Sequence, residues 1–165
     1  MDLLVVRHAI AEDRDETGKD DTERPLTAAG RRKFERGARG LRKLVGGIDV
    51  LATSSLVRAI QTGEIVEAEC RIETTARLRE LSPEADPPSL VTWLRRRRRH
   101  RLVVVVGHEP HLSRLIEHLL VARPVGFVDL KKGGACLLSL GDAPAAGRAT
   151  LRWLLTAGQL RRLGR

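Results

Sequence analysis

Aromatic residues are nearly absent: the 165-residue chain has no Tyr, two Phe and two Trp. A core must therefore be built from Leu, Val, Ile and Ala, and the exposed ring platforms on which single-stranded nucleic acid stacks are missing, which argues against a nucleic-acid partner. Cysteine is also scarce. Cys70 and Cys136 are too few for a disulfide framework and are not spaced as a zinc motif, so a reducing cytoplasm is expected, with both thiols as small core residues. No stretch approaches the roughly 20 apolar residues of a membrane helix, and no cationic leader precedes the short apolar run at residues 3–6, so a soluble chain without a membrane partner is expected. A nucleotide-binding glycine loop is missing too, because Gly37, Gly40, Gly46 and Gly47 lack the spacing and the Lys-Ser/Thr ending. Acidic charge is in deficit, 21 Asp and Glu against 30 Lys and Arg, and the resulting +9 steers anions toward the molecule. Part of that excess is the run Arg95, Arg96, Arg97, Arg98 and Arg99. It reads as a solvated helix end complementing the helix dipole, or as a dock for an acidic partner or polyanion.

What is present is an alternation of strand and helix patterns. Residues 3–6 form a short apolar run delivering Arg7 and His8 at its end, the pattern of a buried strand. A polar loop with Asp13, Asp15, Glu16, Asp20, Asp21 and Glu23 follows, and Thr27 is placed to cap a helix carrying Phe34, Ala38, Leu41 and Val45 on one face, stopped by Gly46 and Gly47. Residues 49–53 read as a second strand. Ser54 or Ser55 then caps a helix with Leu56, Ala59, Ile60, Gly63 and Val66 inward. Residues 71–75 are a weaker strand, and Pro83, Pro87 and Pro88 read as a rigid connector before a helix burying Leu90, Trp93 and Leu94. The clearest buried strand, residues 102–106, ends at Gly107 and His108, and Pro110 opens a helix with the stripe Leu112, Leu115, Ile116, Leu119 and Leu120. Residues 135–140 and 150–155 look like antiparallel strands at the sheet margin. Such alternation predicts a single α/β domain over residues 1–165, a three-layer sandwich with a mainly parallel central sheet and helices on both faces.

In folds of this kind polar groups at the carboxyl ends of strands share one edge. Strand one ends at Arg7 and His8, strand two just before Arg58, strand three leads toward Glu80, and strand four ends at His108. Arg58 is telling, since a cation in a first helical turn opposes the dipole and needs an anion beside it, either a bound phosphate or a neighbouring carboxylate. Metal binding is the rival use of the histidines, because His108 and His111 lie three apart with Glu109 between them and His118 further along. However, His111 and His118 fall on the expected exposed face of their helix, with no Asp-rich or Cys partner, so no metal or other cofactor is expected.

The segments Arg7-His8, Ser54-Ser55-Leu56-Val57-Arg58-Ala59-Ile60-Gln61-Thr62 and Gly107-His108, each following a strand in this order, resemble the three signatures of the histidine phosphatase superfamily. Arg24-Pro25-Leu26-Thr27, Leu78-Arg79-Glu80-Leu81 and Gly107-His108-Glu109-Pro110 are similar to its small phosphohistidine phosphatase branch, the SixA-like proteins. The resemblance implies a phosphoglycerate-mutase-like fold, His8 as a covalent nucleophile, Arg7, Arg58 and His108 as the phosphate pocket, and Arg24 as an added phosphate or substrate contact. One departure stands out: the usual Arg-His-Gly is Arg7-His8-Ala9 here, which requires a negative φ at residue 9. The chemistry fits, since a neutral imidazole attacks phosphorus, nearby guanidiniums keep His8 neutral, and the same cations stabilise charge on the transferring group. Glu80 is the candidate proton donor to the leaving group, or else a surface carboxylate paired with Arg77 or Arg79. The expected activity is metal-independent hydrolysis of a phosphohistidine side chain on a signalling protein, because the short segment after Glu80 leaves little chain for a lid. A small phosphoester handled by the same mechanism is the alternative substrate. A non-catalytic module binding phosphorylated or polyanionic partners is the reading from another class.

Overall fold

A computed structural model describes residues 1–13 and 20–165, so Asp15 and Glu16 of the polar loop lie outside the described residues. Six strands form one sheet: β1 (Asp2–Arg7), β2 (Ile48–Thr53), β3 (Ile72–Arg77), β4 (Leu102–Gly107), β5 (Ala135–Ser139) and β6 (Thr150–Leu155). Their order is β3-β2-β4-β1-β5-β6. The first four run parallel, while β5 pairs antiparallel with both β1 and β6, as the sequence pattern predicts. The helices are α1 (Ala28–Leu44), α2 (Val57–Glu69), α3 (Pro87–Arg95), α4 (His111–Val121) and α5 (Ala157–Leu163). The architecture is thus the expected α/β sandwich.

Strand geometry sends alternate side chains to opposite faces. Leu4, Val6, Val104 and Val106 join Phe34, Ala38, Leu41, Ala59, Val66 and Leu160 in a core beneath α1, α2 and α5. Leu3, Val5, Val103 and Val105 join Leu90, Leu94, Leu112, Leu115 and Leu119 in a second core beneath α3 and α4. With β1 and β4 central and covered on both faces, their runs are continuously apolar. Cys70 and Cys136 are buried, unpaired thiols. Helices α1 and α5 meet closely at Gly40, where an added Cβ would sit 2.1 Å from the Leu160 carbonyl oxygen.

Several local expectations hold and several are corrected. Thr27 caps α1 by accepting from the Gly30 N–H. Neither Ser54 nor Ser55 caps α2; its N-cap is Leu56 with no side-chain bond, and the buried face of that helix includes Arg58 and Thr62. Pro87 and Pro88 lie in the first turn of α3 rather than in a connector, where their missing N–H groups cost nothing. In the arginine run only Arg95 is helical, and Arg97 folds back so that its guanidinium stacks 3.6 Å from the Trp93 ring. His111, expected on an exposed face, is fully buried. Ala122 is the one described non-glycine residue with positive φ, so Ala9 occupies its site without backbone strain. No helix among the described residues is long and apolar enough to cross a membrane.

Candidate active site

The parallel register sets Arg7 of β1 opposite Gly107 of β4, which brings the next residues, His8 and His108, side by side at the carboxyl edge of the sheet. Their ring centroids are 5.0 Å apart and the rings are tilted by 47°. His8 N–H donates to the Gly107 carbonyl, locking the two strand ends together. The imidazole of His8 has one definite tautomer. Its Nδ1 lies 2.7 Å from the Ala9 carbonyl oxygen. A carbonyl can only accept, so Nδ1 carries the proton and Nε2 keeps its lone pair.

Burial lowers the His8 pKa from 6.5 to about 3, outweighing the bond to Ala9, and the charges of Arg58, Arg7 and Lys132 lower it further. The sequence reading credited guanidiniums for this shift; desolvation is the larger cause. His108 is likewise lowered to about 3, by burial first and then by His8 and Arg58. It is therefore neutral. His108 Nε2 lies 2.5 Å from Ser54 Oγ, which also accepts the Leu56 N–H at 3.3 Å. That explains why Ser54 is no helix cap: its hydroxyl is committed to His108.

Arg58, 4% exposed, points both terminal nitrogens at Asp21: Nη1 donates to the backbone carbonyl at 2.6 Å and Nη2 to Oδ2 at 2.9 Å. Of the two anions the sequence left open for Arg58, a carboxylate is thus present. Arg24 shares it, donating from Nε and Nη2 to Asp21 Oδ1 at 2.9 and 2.6 Å, and from Nη1 to the Glu12 carbonyl at 2.6 Å. Arg24 therefore joins Arg58 through Asp21. Burial pushes the Asp21 carboxyl up, but the bonds from Arg24 and Arg58 overcome it and hold its pKa below the ordinary carboxylate range. Arg7 Nη1 donates to the Leu130 carbonyl at 2.9 Å. Thr62 braces the base of the site, accepting the Ala9 N–H at 3.1 Å and donating to the Arg58 carbonyl at 2.6 Å.

Three buried nitrogens in this cluster have no partner: Arg7 Nε, Arg58 Nε and His108 Nδ1. Buried polar atoms are rarely left unpaired, and these three belong to residues whose charge or ring acts on His8, which points to a ligand that can satisfy them there. Two belong to permanent cations, so an anion suits them best.

Glu80 stands in a 3-10 turn (Arg79–Leu81) after β3 and is half-buried. Among the described residues it forms no ion pair with Arg77 or Arg79 and no hydrogen bond with His8 or His108; its charge is felt by Arg97. Glu109, adjacent to His108, is a carboxyl the sequence reading left aside as a possible donor. Burial raises its pKa, and the charge of Arg7 acts on it in the opposite sense. Asp21, Ser54, Lys132 and the Leu130 carbonyl were also missed; among them only Ser54 stood within a quoted motif. Among the described residues no three His, Cys, Asp or Glu side chains are grouped to hold a metal ion.

Residues 3–85 match the model of the histidine phosphatase superfamily (branch 1). The chain belongs to that superfamily. An uncharacterised Picosynechococcus protein is 32% identical over 145 residues, covering 87% of each chain. Among solved structures, the protein histidine phosphatase SixA complexed with tungstate superposes with a TM-score of 0.83 at 24% identity, covering 97% of this chain and 99% of that one. The phosphoserine phosphatase of Entamoeba histolytica in complex with 3-phosphoglyceric acid gives 0.68 at 17% identity, covering 96% and 98%. The fold of this histidine phosphatase superfamily member is therefore shared with proteins whose described substrates differ.

Proposed function

We propose that the protein is a metal-independent phosphatase that passes a phosphoryl group through His8, and that its substrate is a phosphohistidine side chain of a signalling protein. The observation that carries this reading is the trio of unpaired nitrogens, Arg7 Nε, Arg58 Nε and His108 Nδ1, around an imidazole whose Nε2 lone pair is free. Nε2 attacks phosphorus, the P–Nε2 bond forms, and the bond to the leaving group breaks, its electrons and one proton departing with that group. Water then attacks the phosphohistidine, one of its protons restoring the carboxyl that protonated the leaving group; P–Nε2 breaks, the lone pair returns to His8, and inorganic phosphate leaves. With Ser54 Oγ–H donating to His108 Nε2, the imidazole proton sits on Nδ1 and neutral His108 donates to a phosphoryl oxygen with Arg7 and Arg58. Arg24 holds Asp21, which in turn holds Arg58 in place.

The leaving-group proton has two candidate sources, Glu80 and Glu109. Glu109 is the one whose neutral form burial favours, and it adjoins His108. An imidazole leaving group lessens the need for a strong acid, in line with a phosphohistidine substrate. Only residues 82–86 separate the turn at Glu80 from α3, so this segment is too short to cover the site, which favours a side chain on a macromolecule as substrate. Such closure is what a mutase needs to protect a phosphorylated intermediate from water. A small phosphoester is the second reading, favoured by the phosphoserine phosphatase that shares the fold.

A phosphohistidine peptide, a phosphoserine peptide and sugar phosphates compared at matched concentration test the substrate class. The peptide carrying phosphohistidine is expected to lead by more than about tenfold in kcat/KM, or about 1.4 kcal/mol in barrier. Brief incubation with labelled substrate is expected to leave acid-labile phosphate on His8 with full activity in chelator. Turnover by His8→Ala would remove the mechanism.

A further inference from the structure

Glu117 lies on α4 and is 2% exposed, a buried carboxylate that takes no part in the chemistry above. Its oxygens accept three backbone N–H groups from the chain that follows the helix: Val125 at 2.6 Å and Gly126 at 2.9 Å on Oε2, and Val128 at 2.9 Å on Oε1. Burial pushes this carboxyl up, but the bonds from Gly126, Val128 and Val125 prevail and hold its pKa below the ordinary range, so it is charged when folded. Val125 and Phe127, 52% and 58% exposed, are not anchored by their own side chains; the apolar anchors of the stretch are Val128, packed against the second core, and Leu130, buried within it.

Residues 122–134 form no helix or strand, yet they supply the main-chain groups that fix the reactive strand end. Leu130 carbonyl accepts Arg7 Nη1 at 2.9 Å. Gly134 carbonyl accepts the Arg7 N–H, and Gly133 N–H donates to the carbonyls of Arg7 and His8. Val128, the last residue bonded to Glu117, is two positions before Leu130. We infer that Glu117 is a positioning residue: through residues 125–128 it fixes the Leu130 carbonyl, which turns the Arg7 guanidinium so that Nε faces the incoming anion. The inference rests on the phosphatase reading for its purpose. Its geometry concerns only anion binding by Arg7.

Tungstate binding measured by calorimetry and KM against kcat for p-nitrophenyl phosphate test it, both well below the unfolding temperature. Glu117→Gln keeps the size and loses the charge that three donors require; it is expected to weaken tungstate and raise KM about tenfold with kcat within about twofold, with Glu117→Asp intermediate. Asp49→Asn is the control, since Asp49 is another buried carboxylate accepting backbone N–H groups, from Arg101 and Leu102, at the opposite end of the sheet. It is expected to lower the melting temperature and leave tungstate affinity unchanged. In an Arg7→Lys background the further effect of Glu117→Gln is expected to fall below about twofold, because residues acting in series are not additive. Should Glu117→Gln not fold, Gly126→Ala repeats the test: φ there is +82°, so alanine strains the same turn, while no atom lies within 4 Å of the added Cβ. Tungstate affinity unchanged in these loop variants, weakened equally in Asp49→Asn, or additive with Arg7→Lys overturns the inference. Wild-type protein that binds tungstate but hydrolyses nothing overturns the phosphatase reading and leaves the role of Glu117 standing.

Discussion

Lowering the pH from about 7 to about 5 is expected to destabilise this protein by an amount comparable to its whole stability, because three histidines are buried neutral. His8 and His108 are lowered from 6.5 to about 3 and His111 to about 4, each chiefly by burial. His111 is the extreme case, 0% exposed with both ring nitrogens unpaired, its shift opposed by Asp86 and aided by Arg114. Between the folded and unfolded pKa values the unfolded chain binds protons that the native state refuses. Stability therefore rises with pH across that window and is lost as pH falls below 6.5. At pH 5 each unfolded imidazole contributes about 2 kcal/mol to unfolding, against about 0.2 at pH 7, so three together remove about 5 kcal/mol out of a typical ~5–15. Asp21 and Glu117, with lowered pKa values, give up their contributions only as pH falls below the ordinary values of 3.8 and 4.5, beneath this window. Glu109, raised by burial, works in the opposite direction and blunts the slope. Urea unfolding at pH 7, 6 and 5 at fixed ionic strength measures the effect. His111→Leu, which removes one imidazole that takes no part in the proposed chemistry and leaves no unpaired nitrogen behind, should cut the loss by about 2 kcal/mol. A midpoint that stays constant from pH 7 to 5, or a His111→Leu protein with the full wild-type slope, would refute the reasoning.

Asp21→Asn removes the charge that Arg24 and Arg58 share, and is expected to lower kcat/KM by about tenfold, an effect of about 1.4 kcal/mol on the barrier; steady-state kinetics decides, and unchanged values would mean the arginines hold their places without it. Gly40→Ala drives a Cβ to 2.1 Å from the Leu160 carbonyl and should cost about 1–3 kcal/mol of overpacking, read as a lower melting temperature with kcat intact below it. Glu109→Gln should slow hydrolysis of phosphoesters more than of phosphohistidine, whereas Glu80→Gln should change either by less than about twofold; the reverse order in a kcat comparison restores Glu80 as the donor. Because His8 stays neutral down to about 3, the pH profile of kcat/KM should show no inflection near 6.5 beyond that of the substrate's own ionisation, and one found there would refute the lowered pKa.

The order of strands and helices as far as β6, and the strand ends carrying Arg7, His8 and His108, were legible in the sequence for a definite reason, whereas α5 (Ala157–Leu163) was not read from it. Runs such as residues 102–106 are apolar at every position only when both faces are covered, and right-handed crossovers between parallel strands leave all carboxyl ends on one edge. That geometry alone places His8 beside His108 and brings Arg7 and Arg58 to them. Thr27 was readable as a cap because its partner, Gly30, is three residues away. The tertiary structure decided what depends on partners distant along the chain. The tautomer of His8 follows from the Ala9 carbonyl, yet its neutrality follows chiefly from burial under the whole fold. Asp21 meets Arg58 across 37 residues and Ser54 meets His108 across 54. His111 and Glu117 lie on a helix whose apolar stripe was plain, but whether a polar residue at its margin meets solvent, a core or a row of backbone N–H groups is set by the neighbours packed against it. Periodicity specifies which face turns inward; only packing specifies what that face encounters.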